Sequence, residues 1–506
     1  MFIRKLRSPN GKLYVQVVDK SSGKYKVVKS FGSCADDNIN GLSALMHKAQ
    51  EWLGNHSHLQ ELDFTNSDAS VEIFFDSILS MKRVGYDLLL GGIFNDIGFN
   101  KVKDEYFREL VIARVAFPKS KLKTTEYLQR YKQIDWDEDQ LYRYLDKFYN
   151  TQKEFVQQIS YEHTLQILNN DISVVFYDVT TLYFEIDEED ELRKTGFSKE
   201  GKHQNPQILL GLLVSKNGYP LAYEIFEGNK FEGHTMLPVV EAFKSKYQVP
   251  HLIIIADSGL LTNNNIEELQ SKEYEFIIGA RIKNESKLIK DKILSLTLKN
   301  GESTIIKKGG LKLIITYSDD RAKKDRYNRE KGLRKLEKQI RRGRLTKTNI
   351  NNRGYNKFLK LEGEITVSLD QEKLQQDCRW DGLKGYLTNA KLSKDQIIEN
   401  YHHLWQIEKA FRIAKTDLKI RPIYHRLQRR IEAHICISFV AYKLYKELER
   451  RLLEKKANIS TLTAIEIAEN IFEVTIKLPQ SGKLKKKVLL ITEEQKQLNE
   501  ILDFGC

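Results

Sequence analysis

Cysteine is scarce: Cys34, Cys378, Cys436 and Cys506 are the only four in 506 residues, and no two sit at a paired spacing. Neither a disulfide framework nor a zinc knuckle is expected, and a reducing, cytosolic setting fits. Long apolar runs are missing as well. No stretch approaches the roughly 18 uninterrupted apolar residues of a membrane span, and the opening MFIRKLRSPNG has no signal-peptide run. The expectation is a soluble, intracellular protein without a membrane partner. Glycine-rich loops that cradle nucleotide phosphates are absent, which argues against a P-loop motor or a dinucleotide enzyme. No internal repeat is visible.

What the chain does have is positive charge. Lys and Arg outnumber Asp and Glu 82 to 69, for +13 at pH 7, and the pI is near 9.1. That balance favours a polyanion as partner, nucleic acid first. A hydrophobic share of 41% supplies real cores, and the length allows two to four domains.

Residues 1–60 read as a basic β unit and its linker, with LYVQVV and YKVVKSF as β-prone runs around the turn-forming DKSSGK. Its lysines and arginines suit a DNA backbone or, equally, a sheet edge kept from aggregating. A polar stretch at 54–70 marks a boundary. From 70 to 150, apolar positions three and four apart predict helices over 71–98, 104–117, 122–131 and 138–149, a DNA-binding or accessory domain. At 171 the texture changes. DISVVFYDVTTLYFE is too dense in β-branched and aromatic residues for a solvent-facing strand, and ILLGLLV and YPLAYEIFEG read as the two strands that follow it in hairpin fashion. Helix 234–247, strand 251–259, helix 263–271 and strand 274–282 complete a mixed α/β layer over 165–283. An insertion at 284–395 carries β-like pieces around a charged helical middle, where Arg321 to Lys347 holds 13 Lys and Arg against 3 acids. Such a run is a solvated face or, opposite an acidic centre, a phosphate-holding surface that includes Arg341 and Arg342. Helices at 396–452 follow, and 453–506 is an appendage.

Two aspartates close buried strands, Asp178 after FY and Asp257 after LIIIA, each at a strand end facing solvent. Downstream, YHHLWQIEKAFRIAK at 401–415 reads as one helix. In it Tyr401, Glu408 and Lys415, seven apart, share a face beside the apolar stripe of Leu404, Ile407, Phe411, Ala414 and Leu418. Alone, Glu408 is a solvated residue or a lysine's partner, and either aspartate is a turn residue or helix cap. Together, three carboxylates form a hard oxygen-donor set suited to Mg²⁺ or Mn²⁺ and not to zinc. A pair of such ions activates an attacking hydroxyl and stabilises the leaving oxygen in phosphoryl transfer. Glu185, Asp187 and the acidic run 188–191 are further acids, read as a solvated loop.

These stretches resemble the DDE transposases of bacterial insertion sequences. YDVTTLYFE (177–185) is similar to the first-strand motif and IIADSGLLT (254–262) to the second-Asp motif, while YHHLWQIEKAFRIAK is similar to the Tyr-x2-Arg-x3-Glu-x6-Lys signature of one branch. The likeness covers about 170–445. It implies a ribonuclease-H-like mixed-sheet α/β core with a largely β insertion. It also implies Asp178, Asp257 and Glu408 as the catalytic, metal-holding triad, with Tyr401 and Lys415 positioning DNA. The loops 196–207 and 227–235 would border the site and offer Lys199, Asn229 and His234 as DNA contacts. One position departs. The signature's Arg is Leu404 here, so its role passes to another residue such as Arg412, one turn past Glu408. The gap from Asp257 to Glu408 is nearly twice that from Asp178 to Asp257, which matches a branch with an insertion. His425 and His434, near RPIYH, could reach the site too, but each reads first as a satisfied structural histidine.

The reading that follows is a Mg²⁺-dependent transposase, cytoplasmic and on the nucleoid. It cuts double-stranded DNA at the terminal inverted repeats of its element and joins the ends to target DNA, as a homodimer once two ends are synapsed. A metal-dependent nuclease of the same core is one rival, and a catalytically inactive DNA-binding descendant is another. Intact acids at the three positions speak against the second.

Overall fold

The computed structural model describes residues 1–21, 23–56, 68–148, 152–198, 201–260, 262–351, 353–362, 366–478 and 481–505. They form two compact units, Met1–Ser80 with Thr475–Lys486, and Met81–Val474 with Lys487–Cys506. Most of the polar boundary stretch at 54–70 lies outside the described residues.

The first unit opens with three antiparallel strands in the order β1 (Phe2–Arg7), β2 (Lys12–Asp19) and β3 (Lys26–Ala35). Val15, Val17, Ile3 and Phe31 pack beneath Leu45, Met46 and Ala49 of α1 (Ile39–His56). The sequence offered two strands here. FIRKLR escapes notice because its Arg and Lys mask the period-two signal. α2 (Asp68–Asp76) and β4 (Ile78–Arg83) come next, so the helix expected over 71–98 is broken by a strand.

In the second unit α3 (Gly92–Ile97), α4 (Glu105–Ala116), α5 (Lys121–Tyr127), α6 (Glu138–Phe148) and α7 (Lys153–Ile167) precede the sheet. The sheet's own strands begin with β5 (Val174–Tyr183), β6 (Gln207–Ser215) and β7 (Pro220–Glu227), which run antiparallel. α8 (Met236–Tyr247) leads to β8 (Ile253–Ala256), and α9 (Asn263–Ser271) leads to β9 (Glu275–Ala280). β8 lies parallel to β5, and β9 parallel to β8. Every residue of β6 is buried, as its unbroken apolar run demands of a central strand.

The segment expected as a largely β insertion is mixed. It comprises α10 (Lys287–Leu294), β10 (Ser303–Lys308), β11 (Leu311–Tyr317), α11 (Asp319–Arg341), β12 (Leu359–Glu362), β13 (Thr366–Leu369), α12 (Gln371–Cys378) and β14 (Leu383–Thr388). Three of its strands widen the main sheet, whose order is β10-β11-β14-β9-β8-β5-β6-β7. Its longest element is the 23-residue α11, begun by Ser318, whose side chain accepts from the Arg321 amide.

α13 (Lys394–His402), α14 (Trp405–Thr416) and the 27-residue α15 (Gln428–Glu454) follow. α16 (Thr461–Glu469), β15 (Phe472–Lys477), β16 (Leu484–Leu489) and α17 (Glu493–Leu502) end the chain. Alternation along β5 sorts the two faces of the sheet. Phe176 and Leu182, with Ile253 and Ile255, share a core with Ile407 and Phe411 of α14 and Ile437 of α15. Val175, Tyr177 and Val179, with Ile254 and Ala256, share the other with Met236, Val240 and Phe243 of α8.

Candidate active site

Neighbouring parallel strands bring the first two acids side by side. Tyr177 of β5 is in register with Ala256 of β8, and Asp178 and Asp257 are the next residue on each. Both fall on the α14 face, because Phe176 and Ile255, two positions before them, belong to that core. The sequence put Asp178 at a strand end. It lies in mid-strand instead, because VTTLY goes on pairing with β6 as far as Tyr183. Asp257 does follow its strand directly. Each carboxylate accepts from the next backbone amide, Asp178 from Val179 and Asp257 from Ser258, both at 2.7 Å.

Glu408 arrives from α14. The signature stretch is two helices and not one, since α13 ends at His402 and α14 begins at Trp405. The single face expected for Tyr401, Glu408 and Lys415 therefore does not exist. Tyr401 is only 4% exposed, and its hydroxyl is directed at Asp257. Burial first, and then the Asp257 charge, raise its phenol well above the ordinary value. Gly279 of β9 permits this approach, for a Cβ there would stand 2.5 Å from the Tyr401 hydroxyl. Leu404, at the signature's Arg position, is buried in the core beside α14.

Asp257, Glu408 and Tyr401 line one cavity of about 420 Å³ with Ser258, Arg321, Lys384, His402 and Trp405. Two of these, Lys384 of β14 and Arg321 in the first turn of α11, supply its positive charge; the sequence marked Arg321 only as the first residue of the basic run and did not mark Lys384. Lys384 Nζ lies 4.6 Å from the centre of the Tyr401 ring. Burial and then Arg321 lower the Lys384 pKa, while the charges of Asp257 and Glu408 work against that shift. Burial, followed by Lys384, lowers His402. No local pattern marks Lys384, since it sits in an ordinary strand, LKGYLT; only the pairing of β14 with β9 carries it to the acids.

Asp178 is not among the residues lining this cavity. Among the described residues no group of three or more His, Cys, Asp or Glu side chains is arranged to hold an ion. The donor chemistry nonetheless suits a hard divalent cation, because Asp257 and Glu408 are exposed carboxylates on one cavity and Asp178 is the register neighbour of Asp257. An adjoining cavity of about 680 Å³ shares Ser258 and Arg321 and adds Arg281, Lys283, Tyr355 and Trp380.

The remaining candidates are dispersed. Arg412 is exposed and lies outside the cavity lining, and Lys415 is half-buried in the last turn of α14. Asn229 and His234 are exposed in the loop before α8. That loop is tied to the turn after Asp257 by the Asn265 side-chain amide, which donates to Gly233 O at 2.6 Å and Leu260 O at 3.0 Å. Arg341 and Arg342 line a separate basic recess on α11 with Arg334 and Lys338. Lys199 lies outside the described residues. His425 and His434 are buried, and His434 Nε2 contacts Ile420 O at 2.9 Å, as structural histidines do.

A mixed sheet that presents carboxylates from adjacent strands and a covering helix is the frame, and the family follows from comparison. The transposase DDE domain matches residues 169–444, more than half of the chain, and the chain belongs to that family. It is a transposase, a protein of DNA transposition and recombination. No curated protein matches the chain. Among solved structures it is similar to the piggyBac transposase synaptic complex with hairpin DNA, at 8% identity over 79% of each chain and a TM-score of 0.39. The Mos1 transposase paired-end complex with left transposon end is similar at 11% identity over 34% of this chain and 58% of that one, with a TM-score of 0.16. The domain match, and not these slight likenesses, carries the assignment.

Proposed function

We propose that this transposase cuts DNA at the ends of an insertion sequence and joins the freed ends to target DNA by metal-assisted phosphoryl transfer, on a ribonuclease-H-like core. The observation that supports this best is the meeting of Asp257 and Glu408 on one cavity, with Asp178 in register beside Asp257 on the same face. These three residues would hold Mg²⁺ or Mn²⁺, which when bound supplies activation of the attacking hydroxyl and stabilisation of the leaving oxygen. The chain's own groups do the rest. Tyr401 orients the Asp257 carboxylate, and Lys384 and Arg321 offer cations to a phosphate entering the cavity. Arg321 takes the role that the Tyr-x2-Arg-x3-Glu-x6-Lys branch gives to its arginine, since Leu404 is buried and Arg412 lies off the cavity. Two DNA ends call for a homodimer, and terminal repeats and target DNA are its substrates.

The test is incubation with Mg²⁺ and duplex DNA carrying the element's terminal repeats. Wild type is expected to release the ends and join them to target, while Asp257→Asn and Glu408→Gln give no cleavage. Identical products from wild type and Asp257→Asn would refute the assignment. Cleaved ends that never join target DNA would leave a nuclease.

A further inference from the structure

Four basic side chains are buried together. Arg114 closes α4, Lys121 opens α5, His425 lies in the loop after α14, and His434 is in the first turns of α15. Their exposures are 6%, 5%, 8% and 5%. The two imidazole rings are 5.5 Å apart. Arg114 and Lys121 act electrostatically on both histidines, and Arg114 on Lys121.

What sets the cluster apart is the lack of a counter-charge. Neither Arg114 nor Lys121 forms a hydrogen bond or ion pair with any described residue. The acid nearest to hand, Asp146, already binds Arg430 through two bonds of 2.7 and 2.8 Å and Arg429 at 2.9 Å. A guanidinium does not shed its proton in a protein. With no acceptor from the described residues, the nitrogens of these two largely buried side chains are left to groups that reach them from solvent, and an oxyanion arriving from outside would complete the position. The stretch RPIYHRLQRR at 421–430 adds exposed Arg426 and Arg429 around the cluster, a field that draws an anion towards it. Two other buried charges of this unit have protein partners. Glu447 has Arg450, Arg451 and Tyr219, and Lys443 donates to Ser160 O at 3.0 Å and to Thr164 Oγ1.

We infer that Arg114, Lys121 and the neighbouring His425 form a binding site for a phosphate-type oxyanion. The source is either a backbone phosphate of bound DNA or a free phosphate. The DNA source rests on the transposase reading; the site itself does not.

The experiment has two arms on the full-length chain. In the first, thermal unfolding is followed while sodium phosphate replaces sodium chloride at constant ionic strength, without DNA or divalent metal. Wild type is expected to gain stability with phosphate, and Arg114→Met and Lys121→Met to lose that gain. The gain is read within each protein, as the difference between its melting temperatures in phosphate and in chloride. In the second arm, binding to a 40-base-pair duplex is measured across a salt series. If DNA supplies the phosphate, the slope of log K against log salt becomes shallower by about one for each cation removed. An unchanged slope with a lost phosphate response assigns the site to free phosphate. If wild type shows no phosphate response and the slopes match, or if both variants respond as wild type does, the site does not exist. Because the two substitutions lie on different helices, failure of one to fold leaves the other to decide.

Discussion

Lys384 and Tyr401 act on the carboxylates from opposite directions, one by charge and one by geometry. With Lys384 beside Asp257 and Glu408, an incoming divalent cation must displace or share space with an ammonium. Lys384→Met should therefore tighten Mn²⁺ binding several-fold, the equivalent of about 1 kcal/mol at a partly exposed site, while weakening cleavage of DNA; calorimetric titration and a cleavage assay on the same variant read the two effects. Tyr401 depends on the space left by Gly279. Gly279→Ala and Tyr401→Phe should each slow single-turnover cleavage, and the double variant should be no slower than the worse single, because both remove one interaction. Additive losses would show that Gly279 serves something else. Neither residue was legible in advance, for a lysine or glycine inside a strand carries no local mark of what the next strand brings to it.

At the scale of elements, α15 is the helix against which α4, α6, α7 and α14 pack, with buried residues almost continuously from Ile431 to Leu448. Its pattern was legible because 27 residues give an apolar period many chances to repeat. It also carries a pH-dependent contribution. The Glu447 side chain is 1% exposed. Burial alone would raise its carboxyl, but hydrogen bonds from Arg450, Arg451 and Tyr219 outweigh that and hold it at about 2 against 4.5. A carboxyl lowered by folding stabilises above its unfolded value and loses that contribution as pH falls. The network should therefore weaken between about pH 4.5 and 2, a change on the order of 3 kcal/mol. Urea unfolding of wild type and Glu447→Gln across that range is the check: the variant should start less stable near neutrality and show a flatter acid limb. The break between α13 and α14 teaches the reverse lesson. YHHLWQIEKAFRIAK keeps helical spacing throughout, yet the chain turns at His403 and Leu404, so that Tyr401 and Glu408 reach the Asp257 cavity from two separate helices.

For the molecule as a whole, the charge of +13 supplies attraction to DNA that is independent of sequence and falls with salt. If the protein synapses two ends, light scattering in Ca²⁺ with terminal-repeat duplex should report complexes of two chains and two DNAs, and the chain without DNA need not pair. A stable one-to-one complex at saturating DNA would count against the synaptic homodimer.

The sequence by itself determined the strands and helices with long, dense patterns, the basic character and the family, and it offered three acids as candidates for one chemistry. It determined these because each is written locally, as a period, a composition or a motif. Only the tertiary structure decided that Asp178 is in mid-strand, that three strands of the insertion extend the main sheet, and that Arg321 and Lys384 face Asp257 and Glu408. It alone also decided that Arg114 and Lys121 are buried without a partner. Those outcomes turn on which strand pairs with which and which helix covers which face. Such long-range choices are made by the packing of the whole core and leave no trace in any single stretch of chain.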